Sequence, residues 1–378
     1  MVQLPTATIK IPRRQWQYFD WPLFALVIIT TMAGLATLYG TTWRVPRLDY
    51  LPARQAVWWA LGLVAMMATL LIDGRMLRRL TMPLYAICVG LLILTLLKSD
   101  SVKGAERWLS IGGVRFQPSE FTKIAIVLVT ARELMHLNLA GLRGTQLLKA
   151  LSRLGLLIAV PAGLIIIQPD LGTSLVLVPT VVAMLIVAGM TPRYLIIGIV
   201  ILALAGAAAY PLLKDYQKRR ILVHFNPEID ARRSGYNIIQ AKIALGSGGL
   251  TGRGWGEGTQ TSLGFLPEHH ADFIFNSFGE QFGLIGGITL ISLYLAIFLR
   301  CLRLAALARD VHAAYTIVGL AAVFGVHVSF NILIGLHVLP VTGLPLPFFS
   351  AGGSALLASY LIFGIILSLG MRRHHFHD

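Results

Sequence analysis

Long apolar runs separated by short polar segments dominate this chain. Because about 20 apolar residues in a helix cross the roughly 30 Å hydrocarbon layer of a bilayer, each run predicts a transmembrane helix. Backbone polar groups inside a membrane must be satisfied within the chain, so the fold class is an all-α polytopic membrane protein. It forms a single integral-membrane domain over residues 1–378, a bundle of about ten transmembrane helices. These are predicted near residues 21–42, 55–73, 81–97, 117–136, 150–168, 171–190, 193–213, 272–300, 311–335 and 348–371.

The connections between the predicted spans differ greatly in length. Spans five and six are joined at 168–170, and spans six and seven at 191–193, which makes these neighbours antiparallel. Between spans seven and eight, residues 214–271 form a large extracytoplasmic loop. The first apolar run is of full length and follows a polar, basic start, so we expect no cleavable signal peptide.

Composition supports the membrane class and excludes others. The chain is 56% hydrophobic and 13% charged, whereas soluble domains carry about 25% charged residues. Its net charge of +15 would suggest nucleic-acid binding in a soluble protein. In a membrane protein, topology and anionic lipid headgroups explain the charge, so we expect no nucleic-acid partner. Cys88 and Cys301 lie in or beside apolar runs, so neither a disulfide framework nor a metal-ligand spacing is present.

Lysine and arginine in the short loops predict the orientation. Basic residues concentrate in alternate loops, which with an even number of spans predicts that both termini lie in the cytoplasm. The extracytoplasmic loop nevertheless carries eight Lys or Arg against five Asp or Glu. A basic surface on that side suits an anionic substrate.

Two polar segments precede the large loop. Glu120 and Lys123 stand three residues apart on one face of span four, either as a self-neutralising pair or with Lys123 bound to a phosphate and held by Glu120. Asp170 opens span six in the segment QPDLGTS, where N-capping of the helix is one reading and a functional role is the other.

The stretch from Tyr236 to Gly283 predicts a long polar, Gly-rich loop that delivers Asp272 to the start of span eight. Its glycines match no nucleotide fingerprint, so we expect no nucleotide, and we interpret the run as a substrate-facing lid. A carboxylate at the mouth of a membrane cavity can serve as a general base, although Asp272 can also be a helix N-cap. The adjacent His269 and His270 are a poor metal site, and we predict no protein metal site.

The segment 331–357 contains Pro340, Pro345 and Pro347 among glycines. It predicts a broken or re-entrant segment before span ten, which is tolerated only where the backbone is buried in protein or lines a cavity.

Five motifs in order, RWLSIGGVRFQPSE, QPDLGTS, GYNIIQAKIALGSGGLTGRGWGEGTQ, FLPEHHADFIF and LPVTGLPLPFFSAGGS, resemble the SEDS family of membrane proteins. The resemblance implies a peptidoglycan glycosyltransferase of the elongation machinery that maintains rod shape. Such an enzyme polymerises lipid II at the outer face of the cytoplasmic membrane. It works with a class B penicillin-binding protein transpeptidase and other proteins of the elongation complex.

The resemblance also implies roles for individual residues. The family's essential aspartate falls on Asp272, the charged residues of the FQPSE helix on Glu120 and Lys123, and the arginine of the RW motif on Arg107. Ala271, Gln281 and Ala351 depart from the usual Thr, acidic residue and Tyr. Further substrate contacts are expected at Arg219, Arg220, Lys242, Gln260 and Glu280.

The implied chemistry is an inverting sugar transfer. Asp272 takes a proton from the acceptor hydroxyl, and Arg107, Lys123 or a divalent cation (Mg²⁺ or Mn²⁺) offsets the charge of the lipid pyrophosphate. Grooves between the spans hold undecaprenyl chains beside the membrane lipid. A lipid II flippase and a non-catalytic scaffold remain alternatives, since composition fits both.

Overall fold

The computed structural model describes residues 13–98, 107–112, 114–137, 139, 141–208, 210–212, 215–230, 234–266 and 270–373. The helices in these ranges are α1 (Trp21–Thr42), α2 (Leu51–Thr69), α3 (Gly74–Lys98), α4 (Pro118–Leu134), α5 (Gly144–Ile167), α6 (Leu171–Val187), α7 (Pro192–Ala208), α8 (Asp215–Phe225), α9 (Ser234–Ser247), α10 (Thr259–Ser262), α11 (Ile274–Ala306), α12 (Val311–Gly335) and α13 (Gly353–Met371). Two short antiparallel strands, β1 (Leu109–Ile111) and β2 (Val114–Phe116), precede α4.

The helices agree with the predicted all-α membrane fold. Six of those described, α1, α3, α5, α11, α12 and α13, are long and apolar enough to cross a membrane. The apolar helices α6 and α7 are shorter, at 17 residues each, and α2 and α4 complete the set that coincides with the predicted spans. The figure of ten crossings stays a prediction.

Several helices extend beyond the predicted spans. α3 begins at Gly74 instead of residue 81, α5 begins at Gly144 instead of 150, and α11 continues to Ala306 instead of 300. The added turns contain lysine and arginine, which end an apolar run but favour helix almost as strongly as leucine. Hydrophobicity alone therefore set these boundaries too narrowly.

The predicted loop 214–271 is largely helical in its described part. It contains α8, α9 and α10, and the stretch expected to be a Gly-rich loop from Tyr236 is helical as far as Ser247. In α9, Ile238, Ala241 and Ala244 recur at helical spacing and are buried, which supplies the apolar face that a helix needs. Residues 214, 231–233 and 267–269, and with them the interpretation of His269, lie outside the described residues, as do the two termini.

α11 consists of two half-helices that meet at Gly283. This glycine has φ 65° and ψ −163°, which no α-helix contains. Residues 249–254 run against the break: their amides donate to the carbonyls of Glu280 and Gln281, and their carbonyls accept from the amides of Leu284 and Ile285. The chain thereby satisfies the backbone groups that the break releases.

The Gly-rich run is therefore a brace between parts of the bundle, and the substrate-facing lid expected from the sequence stays a prediction. Beyond its contacts with α11, Trp255 Nε1 donates to the carbonyl of Ala36 in α1 at 2.8 Å. Arg44 and Glu257 form an ion pair at 2.9 Å between the same two regions. Contacts to both α1 and α11 hold this run in place.

The Pro-rich stretch between α12 and α13 has no helix or strand in residues 336–352. Leu344, Leu346, Phe348 and Phe349 in it are almost completely buried. The predicted broken segment is thus present, and it lies inside the protein, where irregular backbone can be tolerated. We call residues 336–352 the broken segment.

Candidate active site

Glu120 and Lys123 of α4 lie in the interior of the bundle. Lys123 Nζ is 2.9 Å from Glu120 Oε1, and the two side chains are 1% and 6% exposed. On its other side, Lys123 Nζ lies 2.6 Å from Nε2 of His327 in α12. The self-neutralising pair expected from the sequence is present, with a histidine added to it.

A small cavity adjoins this cluster. Its volume is about 20 Å³, and its lining includes Glu120, Lys123, His327, Pro345 and Pro347. A single water molecule requires roughly 10–15 Å³ measured in this way. In this conformation the cavity has room for about one water molecule and is too small for a phosphate or a sugar, so Lys123 is not open to substrate here.

Asp170 collects hydrogen bonds from three parts of the chain. It caps α6, with Thr173 N at 3.4 Å and Thr173 Oγ1 at 2.9 Å. Ser119 Oγ and Gln117 Nε2 also donate to it, each at 2.9 Å, and Arg107 Nη1 lies 3.3 Å away. Asp170 is therefore an N-cap, as one reading of the sequence holds, and also the partner of Arg107.

Arg107 lies at the edge of this network. Its side chain is 24% exposed, and a Cβ built on Gly343 of the broken segment would lie 3.7 Å from Nη2. Among the described residues, its Nε finds no hydrogen-bond partner. The guanidinium thus keeps donors for a further group while Asp170 fixes its position.

Asp272 lies immediately before α11 and is partly exposed. The helix begins at Ile274 with Phe273 as its N-cap residue. The alternative reading of Asp272 as the helix N-cap is therefore wrong, and the carboxylate stands one residue outside the helix.

The backbone around Asp272 is fixed by α12 and the broken segment. Asn331 Nδ2 donates to the carbonyl of Asp272 at 3.3 Å and to the carbonyl of Leu344 at 2.9 Å. Ser350 Oγ donates to the carbonyl of Ala271 at 2.6 Å. Asn331 lies one turn after His327 on α12, roughly 6 Å along the axis, so Asp272 and the Lys123 cluster share one support.

Glu280 is fully buried and has a structural role. Its carboxylate accepts from Gln260 N at 2.8 Å, from Thr261 N at 3.2 Å and from Thr261 Oγ1 at 3.0 Å, with Thr259 Oγ1 at 3.4 Å. These donors occupy the oxygens of Glu280, and the substrate contact expected there stays a prediction. Gln260 takes part in this network through its backbone N–H, which donates to Glu280.

The basic residues of the outer helices lie apart from the Lys123 cavity. Arg219 forms an ion pair with Asp230 at 3.3 Å and is 54% exposed. Arg220 and Lys242 are exposed on α8 and α9, and Lys242 lies near enough to His337 to affect its titration. They form an outer basic surface.

His337 makes the stability of this outer region depend on pH. Burial, followed by the positive charges of Lys242 and His224, lowers the pKa of His337 to about 4. Because an unfolded histidine has a pKa of about 6.5, protonation favours the unfolded chain. This contribution to stability is present above about pH 6.5 and is lost as the pH falls toward 4.

We therefore expect His337→Asn to lose less thermal stability than the wild type between pH 7.5 and pH 5. Asparagine also tolerates the positive φ of 60° at this position. The measurement is the unfolding temperature in detergent at both pH values. Lys242→Gln removes one of the positive charges that lower the pKa of His337, so it should reduce the loss of stability to a smaller extent. An equal loss of stability in wild type and His337→Asn would contradict this assignment.

Sequence reasoning missed the residues that join the site together. His327 and Asn331 stand four residues apart in the mostly apolar helix α12, and that spacing of two polar residues was the available signal. Gln117 and Ser119 were inside a recognised motif but received no role. Among the described residues, no group of three or more His, Cys, Asp or Glu is placed to hold a metal ion.

Comparison with known proteins decides the family. The family model for FtsW, RodA and SpoVE, described as a cell cycle protein, matches residues 18–375. This chain belongs to the FtsW/RodA/SpoVE family. Its relatives in the family include the peptidoglycan glycosyltransferase MrdB of Escherichia coli (strain K12), 40% identical over 316 residues that cover 83% of this chain and 84% of that protein. The probable peptidoglycan glycosyltransferase FtsW of Geobacter metallireducens is 33% identical over 371 residues, 96% of this chain and 97% of that protein.

Solved structures in the FtsW/RodA/SpoVE family share the fold. The rod shape determining protein RodA of Thermus thermophilus superposes with a TM-score of 0.71 at 28% identity, covering 96% of this chain and 99% of that one. A chain from a peptidoglycan synthase complex that coordinates polymerization and crosslinking has a TM-score of 0.81 at 30% identity, covering 95% and 99%. The resemblance to this family that the five motifs indicate, and the all-α polytopic membrane fold, are confirmed.

Proposed function

We infer that this chain is a peptidoglycan glycosyltransferase that polymerises lipid II during cell elongation, with Asp272 as the general base. The observation that carries the proposal is the position of Asp272. It is a partly exposed carboxylate outside the helix, on a backbone that Asn331 and Ser350 hold in place. Catalysis by proton transfer requires such a group on a fixed support.

The proposed reaction inverts an anomeric centre. The 4-hydroxyl oxygen of an acceptor lipid II bonds to C1 of the donor sugar, its proton passes to Asp272, and the C1–O bond to the lipid pyrophosphate breaks. The pyrophosphate leaves with the electron pair of that bond. A β1,4 linkage then results from an α-linked donor, and no nucleotide is consumed because the pyrophosphate is already an activated leaving group.

Arg107 is the cation best placed for the leaving group, since it is partly exposed and retains donors. Arginine binds phosphate oxygens through two parallel hydrogen bonds. The outer basic surface of Arg219, Arg220 and Lys242 would attract the anionic substrate from the membrane surface. The described residues do not fit a resident metal site, so no step is assigned to a divalent cation.

The structural similarity to a chain of a peptidoglycan synthase complex supports the proposal that this protein also works with a partner. That complex coordinates polymerization with crosslinking, and a class B penicillin-binding protein transpeptidase supplies the crosslinking chemistry in our proposal. We place the protein in the cytoplasmic membrane with both termini inside and Asp272 outside, where lipid-linked sugars and undecaprenyl tails are available.

One assay tests the proposal. Purified protein, with and without its transpeptidase, receives labelled lipid II in Mg²⁺, Mn²⁺ or chelator, and the products are separated by size. We expect wild-type protein to form glycan polymer and Asp272→Asn to lose about 10²–10⁴-fold in rate, the usual contribution of a general base. Glu257→Gln, which removes an exposed ion pair on the brace, is the matched control and should stay active.

Equal polymerisation by Asp272→Asn would exclude the proposed base. Absence of polymer under every condition, together with transbilayer movement of lipid II in vesicles, would instead identify a flippase. Absence of both, with stimulation of the transpeptidase, would identify a scaffold.

A further inference from the structure

His327 has two different hydrogen-bond partners in the interior. The residue is 4% exposed, its Nε2 lies 2.6 Å from Lys123 Nζ, and the ring also bonds to the backbone of Pro345. Proline has no amide hydrogen, so its carbonyl must accept and Nδ1 must carry the proton. Nε2 then presents its lone pair to the ammonium group. The two contacts together select one neutral tautomer.

Two turns of α12 hold consecutive carbonyls of the broken segment. His327 binds the carbonyl of Pro345, and Asn331 binds the carbonyl of Leu344 at 2.9 Å. Asn331 also binds the carbonyl of Asp272 at 3.3 Å. His327 therefore connects Lys123 of α4 to the same stretch of backbone against which Asp272 is fixed.

The chemistry at position 327 is narrowly constrained. A cation there would place two positive charges 2.6 Å apart in a buried site, where their repulsion is only weakly screened. An aliphatic residue would leave the ammonium group of Lys123 and the carbonyl of Pro345 each without a partner, which is costly in an interior. The position requires a neutral side chain that accepts at one end and donates at the other.

We propose that His327 is a positioning residue for the transfer reaction, which bridges Lys123 to the broken segment and thereby sets the position of Asp272. This role rests on the proposed function. His327 does not touch the substrate, because the adjoining cavity has room for about one water molecule. Its effect should therefore appear in kcat more than in KM.

Three substitutions test the bridge. Glutamine can accept from Lys123 through Oε1 and donate to Pro345 through Nε2, whereas asparagine is one methylene too short to reach both, and leucine does neither. We expect His327→Gln to keep kcat within about threefold of wild type. His327→Asn and His327→Leu should lose roughly tenfold to a hundredfold in kcat for lipid II with little change in KM, since a displacement of about 1 Å can cost on the order of 10² in rate.

Controls separate this inference from the function on which it rests. Ser329→Leu, two residues away on an exposed face of α12, should match wild type. Wild-type polymerisation tests the proposed function alone, independently of the variants. If His327→Leu does not fold, the comparison of His327→Gln with His327→Asn still tests the bridge. Equal rates for the folded Gln and Asn variants, or an inactive folded Gln variant, would overturn the bridge.

Discussion

Replacing Gly283 by alanine should prevent the chain from reaching its native fold, whereas the same change at Gly287 should have little effect. A Cβ on Gly283 would lie 2.5 Å from the carbonyl oxygen of Leu250 and would also collide with the amide nitrogen of Gly252. Both obstacles are backbone atoms that cannot rotate away. The φ of 65° and ψ of −163° add strain of about 1–3 kcal/mol for any residue with a side chain.

Gly287 provides the matched control in the same helix. It has helical geometry, and its added Cβ would meet its nearest neighbour, the ring of Phe275, at 4.0 Å, an ordinary contact distance. The yield of monodisperse protein in detergent and its unfolding temperature measure the difference. Native yield and unchanged melting of Gly283→Ala would show that residues 249–254 do not brace the break.

Lys123→Met should destabilise the protein strongly, and Glu120→Gln added to it should restore most of the loss. The single change leaves the carboxylate of Glu120 buried at 6% exposure without its cation, for which about 3–5 kcal/mol is typical. Replacing both members of a buried pair by neutral groups is often almost neutral. The double variant should therefore melt closer to wild type than Lys123→Met does.

Activity of the double variant distinguishes the two readings of this pair. A purely self-neutralising pair predicts that the stable double variant polymerises lipid II as fast as wild type. Phosphate binding by Lys123 predicts a folded protein with a raised KM, whereas loss of the bond between Lys123 and His327 predicts a lower kcat with little change in KM. A double-variant cycle of unfolding temperatures measures the coupling between Lys123 and Glu120. Additive losses from Lys123→Met and Glu120→Gln would contradict the interaction itself.

The all-α membrane fold and the places of the long helices along the chain could be predicted because apolar runs in a membrane have one backbone solution. The same reasoning failed for α9. This helix is only partly apolar and contains glycines, so hydrophobicity alone indicated a loop. The reasoning also failed at the ends of α3, α5 and α11, where basic residues continue the helix after the apolar run stops.

The charged residues of the candidate site could be named from the sequence, but the contacts between them could not. Asp272 and the Glu120–Lys123 pair drew attention because ionisable residues in an apolar chain need a reason, and the resemblance added Arg107. The donors that surround Glu280 come from 259–261, and that proximity depends on how the Gly-rich run folds back. The role of His327 remained hidden because the sequence of α12 does not show that this histidine faces Lys123.

On the topology proposed above, the break in α11 would also set the depth at which the chemistry takes place. Arg300, which bonds to Asp20 at 3.0 Å, would lie near the cytoplasmic face. The 18 residues from Gly283 to Arg300 are about enough to cross the hydrocarbon. The half-helix 274–282 would then stand among the lipid headgroups. Asp272 would therefore work in the hydrated layer where the phosphates of a lipid-linked sugar lie, and its carboxylate need never be transferred into hydrocarbon.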